Sequence, residues 1–567
     1  MDFVPEENIK SLLGLKGWLG TLCTDAVMAF VGINRLNRTF RPIEGLKGYD
    51  FAEAALECLQ VKTQTEEDFL SSIPETGPFI VCSNHPFGCL DGLILLREIG
   101  KKRSDVLFMT NYILSRIPCL QKTFIPVDPF VKGASRSVSG VKAALEQLGS
   151  GSPLVMFPAG EVSSDRNSSH IVKDIEWETG AARLIMKAGV PVIPAYFDGT
   201  NSKFFHFLGH IHPFLRTLRL PLELLNKKGC EIPLRFGRAI TPNEIAGFSN
   251  PKELASYLRN RSYALEASVT KHEVCAQERS LSPIEPHVDT SLLRAELESL
   301  GSSLLFKEGG YSCFVNRCEE IPNIMREIGI CREETFRLNG EGTGKSIDLD
   351  EFDEYYLHLH LWDEEECRLV GAYRIGRGEE ILRDKGIPGF YTDLFFHYND
   401  EAAPMLANGL ELGRSFVVPD FQVVPNALKM LLHKGIGEFC RHHGESRYLF
   451  GAASISSDIP KMFSSIMVEY FKRTMSDPSL NSLVRPVNPF VPDFGRIDVE
   501  SLKLEELSID RCDRLLSRLT GGKYRIPTLI RAYAKSGCRF LGFNVDHGFN
   551  DCIDSLLVVD LNKLQYQ

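Results

Sequence analysis

A histidine and an aspartate stand close together in the segment Ser83-Asn84-His85-Pro86-Phe87-Gly88-Cys89-Leu90-Asp91-Gly92. These are residue types for moving a proton: an imidazole can take one from a hydroxyl while a carboxylate fixes its tautomer and steadies the imidazolium that forms. The segment follows the apolar run Phe79-Ile80-Val81 and precedes the helical stretch Leu93 to Glu98, which puts His85 in a strand-to-helix turn. A turn histidine beside a helix-capping aspartate is the plain alternative. Further blocks stand beside apolar runs: Ile125-Pro126-Val127-Asp128, Phe157-Pro158-Ala159-Gly160-Glu161 and Val192-Ile193-Pro194.

The second half carries charges of both signs in short blocks. Arg332 to Arg337 includes Phe336; Asp348-Leu349-Asp350-Glu351-Phe352-Asp353 follows, then Val370 to Arg374 and Glu411-Leu412-Gly413-Arg414-Ser415-Phe416. Opposite charges recurring beside expected strands suggest a network that shapes a polar pocket, with ion pairs on solvated faces as the alternative. Gly340 to Ser346 has the look of a phosphate-binding loop, but Asn339 stands where its first glycine belongs and Arg332 to Leu338 is charged where a buried strand is needed, so nucleotide binding is not expected.

The elements that must hold these residues follow from apolar periodicity. Up to about residue 270, the runs at Phe79, Val106-Leu107-Phe108-Met109, Leu154-Val155-Met156-Phe157 and Val190-Pro191-Val192-Ile193 alternate with helical stretches at 137–148 and 179–188, the rhythm of an α/β domain with a largely parallel sheet. Residues 271–289 are polar and hold Pro283 and Pro286, the mark of a linker. Beyond it, strands are expected at 366–375, 448–455, 539–545 and 556–561, with helices at 425–442, 458–472 and 525–536. The reading is two α/β domains, 1–270 and 290–567.

Net charge is −10 over 567 residues, which disfavours a general nucleic-acid binder, yet the halves differ. Residues 1–280 carry 32 basic and 30 acidic side chains, and residues 281–567 carry 32 and 44. Lys101, Lys102 and Arg103 belong to a basic cluster suited to an anionic membrane or an acidic carrier protein. Two segments, 12–35 and 204–228, mix apolar faces with basic rims, as in-plane membrane helices do; buried core helices are the alternative. No uncharged apolar run is long enough to span a bilayer and the N-terminus is acidic where a signal peptide is basic. The 15 cysteines show no zinc spacing, so neither metal nor disulfide framework is expected. The expected place is the cytoplasm, at the inner face of the cytoplasmic membrane.

In order, the blocks of residues 75–245 resemble those of the glycerolipid acyltransferase superfamily, closest to its hemolysin-like branch. The resemblance implies transfer of an acyl group from a thioester to a lipid hydroxyl, with His85 as general base, Asp91 as its orienting partner, and Phe157, Pro158, Gly160 and Glu161 in the acceptor pocket. This chain departs from the pattern in three ways. It has one residue more between His and Asp, which Gly88 must let the turn absorb; Pro129 replaces the phosphate-gripping Arg; and Ala159 replaces the usual Glu of the Phe-Pro block. Loss of that clamp points to a phosphate-free lyso-lipid unless Lys132 or Arg136 substitutes.

Residues 300–567 resemble the N-acyltransferases that make lyso-ornithine lipid, relatives of acyl-homoserine-lactone synthases with a GNAT-like fold. By that resemblance Arg332, Phe336, Asp350, Asp353, Arg374, Glu411 and Arg414 are pocket residues. Glu411 would accept or hold the proton of the substrate ammonium, and Arg374 and Arg414 would bind its carboxylate. An Arg/Gln-x-x-Gly-x-Gly pyrophosphate loop is lacking, which fits acyl carrier protein as donor better than coenzyme A. The whole chain resembles the fused bifunctional ornithine-lipid synthases: N-acylation of ornithine by a 3-hydroxyacyl group, then O-acylation of the new hydroxyl, with no metal or redox cofactor. The alternative is a lysophosphatidate-type acyltransferase with a non-catalytic second domain.

Overall fold

The computed structural model describes residues 3, 6–7, 24, 27–65, 73–111, 117–127, 135–165, 171–269, 281–338, 341–422, 427–442 and 446–563. Two units emerge. The first comprises residues 1–271 together with 495–502 and 517–523; the second comprises 272–494, 503–516 and 524–567. Within the polar segment taken as a linker, residues 271–280 lie outside the described residues, and 281–289 form no helix or strand.

The first unit is built on seven strands: β1 (Lys62–Gln64), β2 (Ile80–Ser83), β3 (Leu107–Asn111), β4 (Phe124–Val127), β5 (Leu154–Met156), β6 (Val192–Phe197) and β7 (Glu231–Phe236). Their order is β1-β7-β6-β2-β5-β3-β4. All neighbours run parallel except β6 and β7. The four strands expected from apolar runs are here β2, β3, β5 and β6; the continuous hydrophobicity of β2, β5 and β6 reflects burial on both faces, whereas β3 is only partly buried. Helix α1 (Gly48–Cys58) packs with α2 (Cys89–Gly100). Buried Leu90, Leu93, Ile94, Leu95, Leu96 and Ile99 of α2 enter the core with Phe79, Val81 and Val155. Truncating one such leucine to alanine costs about 2–5 kcal/mol.

The expected membrane segment at 204–228 forms two helices, α4 (Lys203–Ile211) and α5 (Pro213–Asn226), which follow α3 (Thr179–Ala188). Phe205 and Leu224 are buried, as the core alternative requires, while Phe204, Phe207, Ile211 and Phe214 are exposed. Of the segment at 12–35, residues 12–23 and 25–26 lie outside the described residues. Its end holds a small cluster of Met28, Val31 and Ile33 against Leu218 of α5. Among the described residues no helix is long and apolar enough to cross a membrane.

The later segment 495–502 joins the first unit through polar contacts. Arg496 pairs with Glu266 and donates to the Tyr196 hydroxyl at 2.9 Å, and the Asp498 N–H donates to Asn260 Oδ1 at 2.9 Å. Asn260 sits on α6 (Pro251–Tyr263). The basic cluster at Lys101–Arg103 is less available than its sequence suggests. Arg103 is buried, paired with Asp105 and donating to the Gly77 and Gly151 carbonyls, and Lys101 pairs with Glu98. Half of such a patch is spent on holding loops.

The second unit contains an eight-stranded sheet, β16-β17-β14-β13-β11-β10-β9-β8. In chain order its strands are β8 (Leu304–Glu308), β9 (Tyr311–Arg317), β10 (Leu357–Asp363), β11 (Arg368–Arg377), β13 (Gly409–Val417), β14 (Tyr448–Ile455), β16 (Arg539–Asp546) and β17 (Cys552–Asp560); β12 (Phe396–Tyr398) and β15 (Val484–Pro486) pair apart from it. Every pair in the main sheet is antiparallel except β13 with β14, which run parallel. Helix α7 (Pro322–Leu338) packs on β11 and β13; α8 (Lys461–Thr474) and α9 (Thr528–Lys535) follow at two of the expected helical stretches.

Candidate active sites

In the first unit, β2 delivers His85 to the turn ahead of α2. Asn84 fixes the strand end: its Nδ2 donates to the Phe197 carbonyl at 2.9 Å and its Oδ1 accepts from the Phe197 N–H at 2.7 Å, tying β2 to the end of β6. The His85 backbone is held on both sides, its N–H donating to Asp174 Oδ1 at 3.3 Å and its carbonyl accepting from the Ser163 N–H at 2.9 Å. Asp174 is a buried hub. It also accepts from Trp177 Nε1 at 2.9 Å, while its own N–H donates to the Tyr263 hydroxyl at 2.7 Å.

The extra residue between His85 and Asp91 does not separate them. His85 Nδ1 lies 2.9 Å from Asp91 Oδ2, because only Asp91 is helical; His85 precedes the helix, and Gly88 turns the chain with φ +82°. The same carboxylate oxygen accepts from the Phe87 and Gly88 N–H groups at 2.9 and 3.1 Å, so Asp91 both caps α2 and orients the imidazole. The two readings made from sequence are one arrangement. Asp91 is 0% exposed, and burial pushes its carboxyl up from the ordinary range against the pull of His85 and those N–H groups.

The Phe157 block forms the wall beside it. The Phe157 ring stacks on the His85 imidazole with centroids 4.1 Å apart, Pro158 accepts from the Glu178 N–H at 2.8 Å, and Gly160 closes the turn onto the Phe157 carbonyl with φ +69°. Glu161 pairs with Arg216 of α5 at 2.9 Å. A Cβ added to Gly88 would stand 3.2 Å from Leu220, also of α5, so this helix covers the turn. Pro129 and Lys132 lie outside the described residues, as does the side chain of Arg136.

In the second unit, the charged blocks converge. Arg332 of α7 bridges Asp348 at 3.0 Å and Asp353 at 2.8 Å; Arg374 of β11 pairs with Asp350 and, at 3.3 Å, with Asp353; Arg414 of β13 reaches Asp348 and Asp350 at 3.4 and 3.3 Å. Against its burial, Asp353 is held well below the usual carboxylate range by Arg332 and Arg374. The Arg374 guanidinium lies over Tyr391, 4.7 Å from the ring centroid, and Arg414 sits 5.2 Å from the same ring. Surface ion pairs are thereby excluded for Arg332, Arg374, Asp348 and Asp353, which are buried, while Asp350 and Arg414 are partly exposed.

Glu411 stands apart from this network. It is 1% exposed, and its carboxylate accepts from the Tyr356 hydroxyl, from the Tyr391 N–H at 3.1 Å and from the Thr392 N–H at 2.7 Å. Burial pushes its carboxyl up from the ordinary range, against those donors.

A cavity of about 1140 Å³ opens beside Arg414. Strands β13 and β14 pair only over Gly409–Glu411 with Tyr448–Phe450 and then part. The cause is visible in β13. Arg374 pairs with Gly413 and Ala372 with Phe416, leaving two residues of β13 opposite one of β11, and Arg414 takes φ +49°, an unusual conformation for a side chain of that size. The cavity is lined by Leu412 to Val417 on one edge and Ala452 to Ser454 on the other, with Phe336, Tyr391, Asp546 and Asp554. Arg332, Arg374 and Glu411 are not among its lining residues. The glycine-rich loop at 341–346 is no phosphate cradle: the Thr343 and Gly344 N–H groups donate to Glu333 at 3.0 and 2.9 Å.

Asn84, Asp174 and Arg216 in the first unit, and Asp348, Asp554 and Tyr391 in the second, were not among the expected site residues. Asn84 adjoins His85 and Asp348 adjoins Asp350, so neighbourhood alone would have found them; the others come from distant elements.

Comparison with known proteins follows the same division. Residues 25–271 match the acyltransferase family and residues 331–432 the acetyltransferase (GNAT) domain. A glycine N(alpha)-acyltransferase of Bacteroides thetaiotaomicron is 26% identical over 289 residues, 49% of this chain and 85% of that protein. A lyso-glycine lipid O-acyltransferase of Phocaeicola vulgatus is 28% identical over 239 residues, 41% of this chain and 83% of that one. The crystal structure of the 1-acyl-sn-glycerophosphate acyltransferase from Thermotoga maritima is 21% identical, covering 39% of this chain and 78% of its own, at a TM-score of 0.27.

Proposed function

We propose that this chain, an enzyme joining an acyltransferase domain to a GNAT domain, makes a diacylated amino-acid lipid by two successive acyl transfers. The second unit joins a 3-hydroxyacyl group to the α-amine of an amino acid; the first acylates the resulting hydroxyl. The His85–Asp91 contact is the observation that carries the O-acyl step. With Nδ1 held by Asp91, His85 Nε2 takes the hydroxyl proton as the oxygen attacks the thioester carbonyl. The carbon–sulfur bond then breaks and the proton passes to the departing thiol. Phe157 sets the imidazole plane, and Pro158, Gly160 and Glu161 form the acceptor wall.

The engagement of Arg216 by Glu161 supports a phosphate-free acceptor, because this buried guanidinium already has its carboxylate. In the second unit, Arg414, which lines the cavity and holds Asp348 and Asp350 only at 3.4 and 3.3 Å, receives the amino acid's carboxylate, and Phe336 walls the acyl chain. Arg332, Arg374, Asp350 and Asp353 fix the backbone around them. Glu411, with its oxygens taken by Tyr356, Tyr391 and Thr392, acts by positioning Tyr391 rather than by meeting the amine. The parted edges of β13 and β14 offer backbone groups to the extended arm of a carrier-protein thioester.

Ornithine as the amino acid is supported by the cavity's surplus of acids, Glu341, Asp458, Asp546 and Asp554 against Arg414 and Lys429, which suits an acceptor with a second ammonium group and a net positive charge. Glycine is the second reading, supported by the names of the relatives. Mass spectrometry of lipids from a host lacking amino-acid lipids, with this chain expressed, tests both: a new diacyl species with an ornithine or glycine head group is expected. Its absence with carrier-protein donors present overturns the proposal in favour of a phospholipid acceptor.

A further inference from the structure

We propose that Asp554 is the catalytic base of the second unit, taking a proton from the amino acid's ammonium where the cavity meets β17; this rests on the N-acyl-transfer reading above. Three observations lead there. Asp554 is 5% exposed and lines the cavity, as Arg414 and Tyr391 do. It sits opposite Ser454 of β14 and Asn544 of β16, on a strand paired on both sides. Both hydrogen bonds it accepts, from Ser454 Oγ at 2.8 Å and Cys552 Sγ at 3.7 Å, fall on Oδ1, so among the described residues Oδ2 is left to a ligand.

The other carboxylates are placed differently. Glu411 lies outside the cavity wall with its oxygens taken. Asp546 turns its Oδ1 to the Gly548 N–H at 2.7 Å, closing the β16–β17 turn. Glu341 comes from the loop after α7, and burial together with Asp458 pushes it up. The groups acting on Asp554 are thus Asp546 and Cys552 of its own hairpin, Glu341 from that loop, Ser454 of β14 and Tyr391. Burial, opposed by Ser454 and aided by Asp546 and Glu341, pushes the Asp554 carboxyl up to about 7, which suits a base working near neutrality.

The step balances as follows. Asp554 takes one ammonium proton, and the freed nitrogen lone pair forms the N–C bond at the thioester carbonyl. When the carbon–sulfur bond breaks, its electron pair leaves with sulfur. The remaining surplus proton on nitrogen goes to that sulfur, giving amide, thiol and protonated Asp554, which then releases its proton to solvent. Arg414 holds the carboxylate meanwhile.

The test measures rates of N-acylation against pH with the full-length chain, a 3-hydroxyacyl carrier-protein thioester, and ornithine or glycine. Wild type should lose activity below about pH 7. Asp554→Asn should lower the rate about 100-fold or more, the contribution of a positioned base, and lose that acidic limb. O-acylation of added lyso-lipid should persist in the same preparation. Ser454→Ala, which removes a donor to the carboxylate, should move the limb to higher pH, and decides the matter if Asp554→Asn also loses O-acylation. A wild-type rate and limb in Asp554→Asn, or an unmoved limb in Ser454→Ala, overturns the assignment. A wild-type chain that N-acylates neither amine overturns the N-acyl reading itself, and the assignment with it.

Discussion

His85 and the buried arginines make contrasting demands on one side chain. His85 is useful because little fixes its ring beyond Asp91 and Phe157, so His85→Ala should cost little stability. It should cut O-acylation by about 100-fold or more and let the mono-acyl lipid accumulate, which lipid mass spectrometry will register; undiminished diacyl lipid would refute its role. Arg332 is the reverse. Its removal leaves Asp348 and Asp353 only their longer pairs with Arg414 and Arg374, so Arg332→Met should cost about 3 kcal/mol in urea unfolding, the low end of the penalty for breaking a buried ion pair. The types and order of these residues were legible in the sequence, because a charge that recurs beside apolar runs has few stable places to go. The facing of Glu411 was not. Its partners are two backbone N–H groups and a tyrosine hydroxyl, and backbone donors leave no trace in residue identity.

Single backbone deviations shape both sites at the scale of the element. Gly88 permits the left-handed turn that lets His85 reach back to Asp91, and Leu220 leaves a Cβ there only 3.2 Å. Gly88→Ala should therefore destabilise by about 1–2 kcal/mol and depress O-acylation more than N-acylation; equal loss of both would argue against a local effect. The bulge at Arg414 performs the comparable task in β13, where one surplus residue sends β13 and β14 apart and opens the cavity. Four strands of the first unit, β2, β3, β5 and β6, could be read as continuous apolar runs, while the short or partly exposed β1, β4 and β7 could not. Strands β8, β9, β10 and β13 went unread. Leu357-His358-Leu359-His360-Leu361-Trp362 of β10 shows why: buried His358 and His360 break the apolar run, and their environment, which pushes His358 down to about 4 through burial, is tertiary.

For the molecule as a whole, the exposed face of α4 and α5 matters most. Phe204, Phe207, Ile211 and Phe214 stand out to solvent on α4 and α5, the second of which also covers the His85 turn through Leu220. Docking this face on a membrane would bring a lyso-lipid to the site without crossing water. Phe207→Asp with Phe214→Asp should abolish sedimentation with anionic vesicles and lower O-acylation while sparing N-acylation; full vesicle binding by that variant would exclude this face as the membrane contact. The two blocks of apolar rhythm led to an expected division into 1–270 and 290–567, whereas the first unit also takes in 495–502 and 517–523.

The return of residues 495–502 to the first unit is invisible to such reasoning and bears on how the two activities can be inherited. A gene divided at the polar segment after residue 271 would encode a first half lacking Arg496 and Asp498, which removes a hydrogen-bond partner from each of the buried Tyr196 and Asn260 and the ion-pair partner of the half-buried Glu266. Joining the two units in one chain is then more than a tether. The first unit takes part of its own scaffold from residues that follow the GNAT domain, so separation would require either complementation in trans or a redesign of that surface.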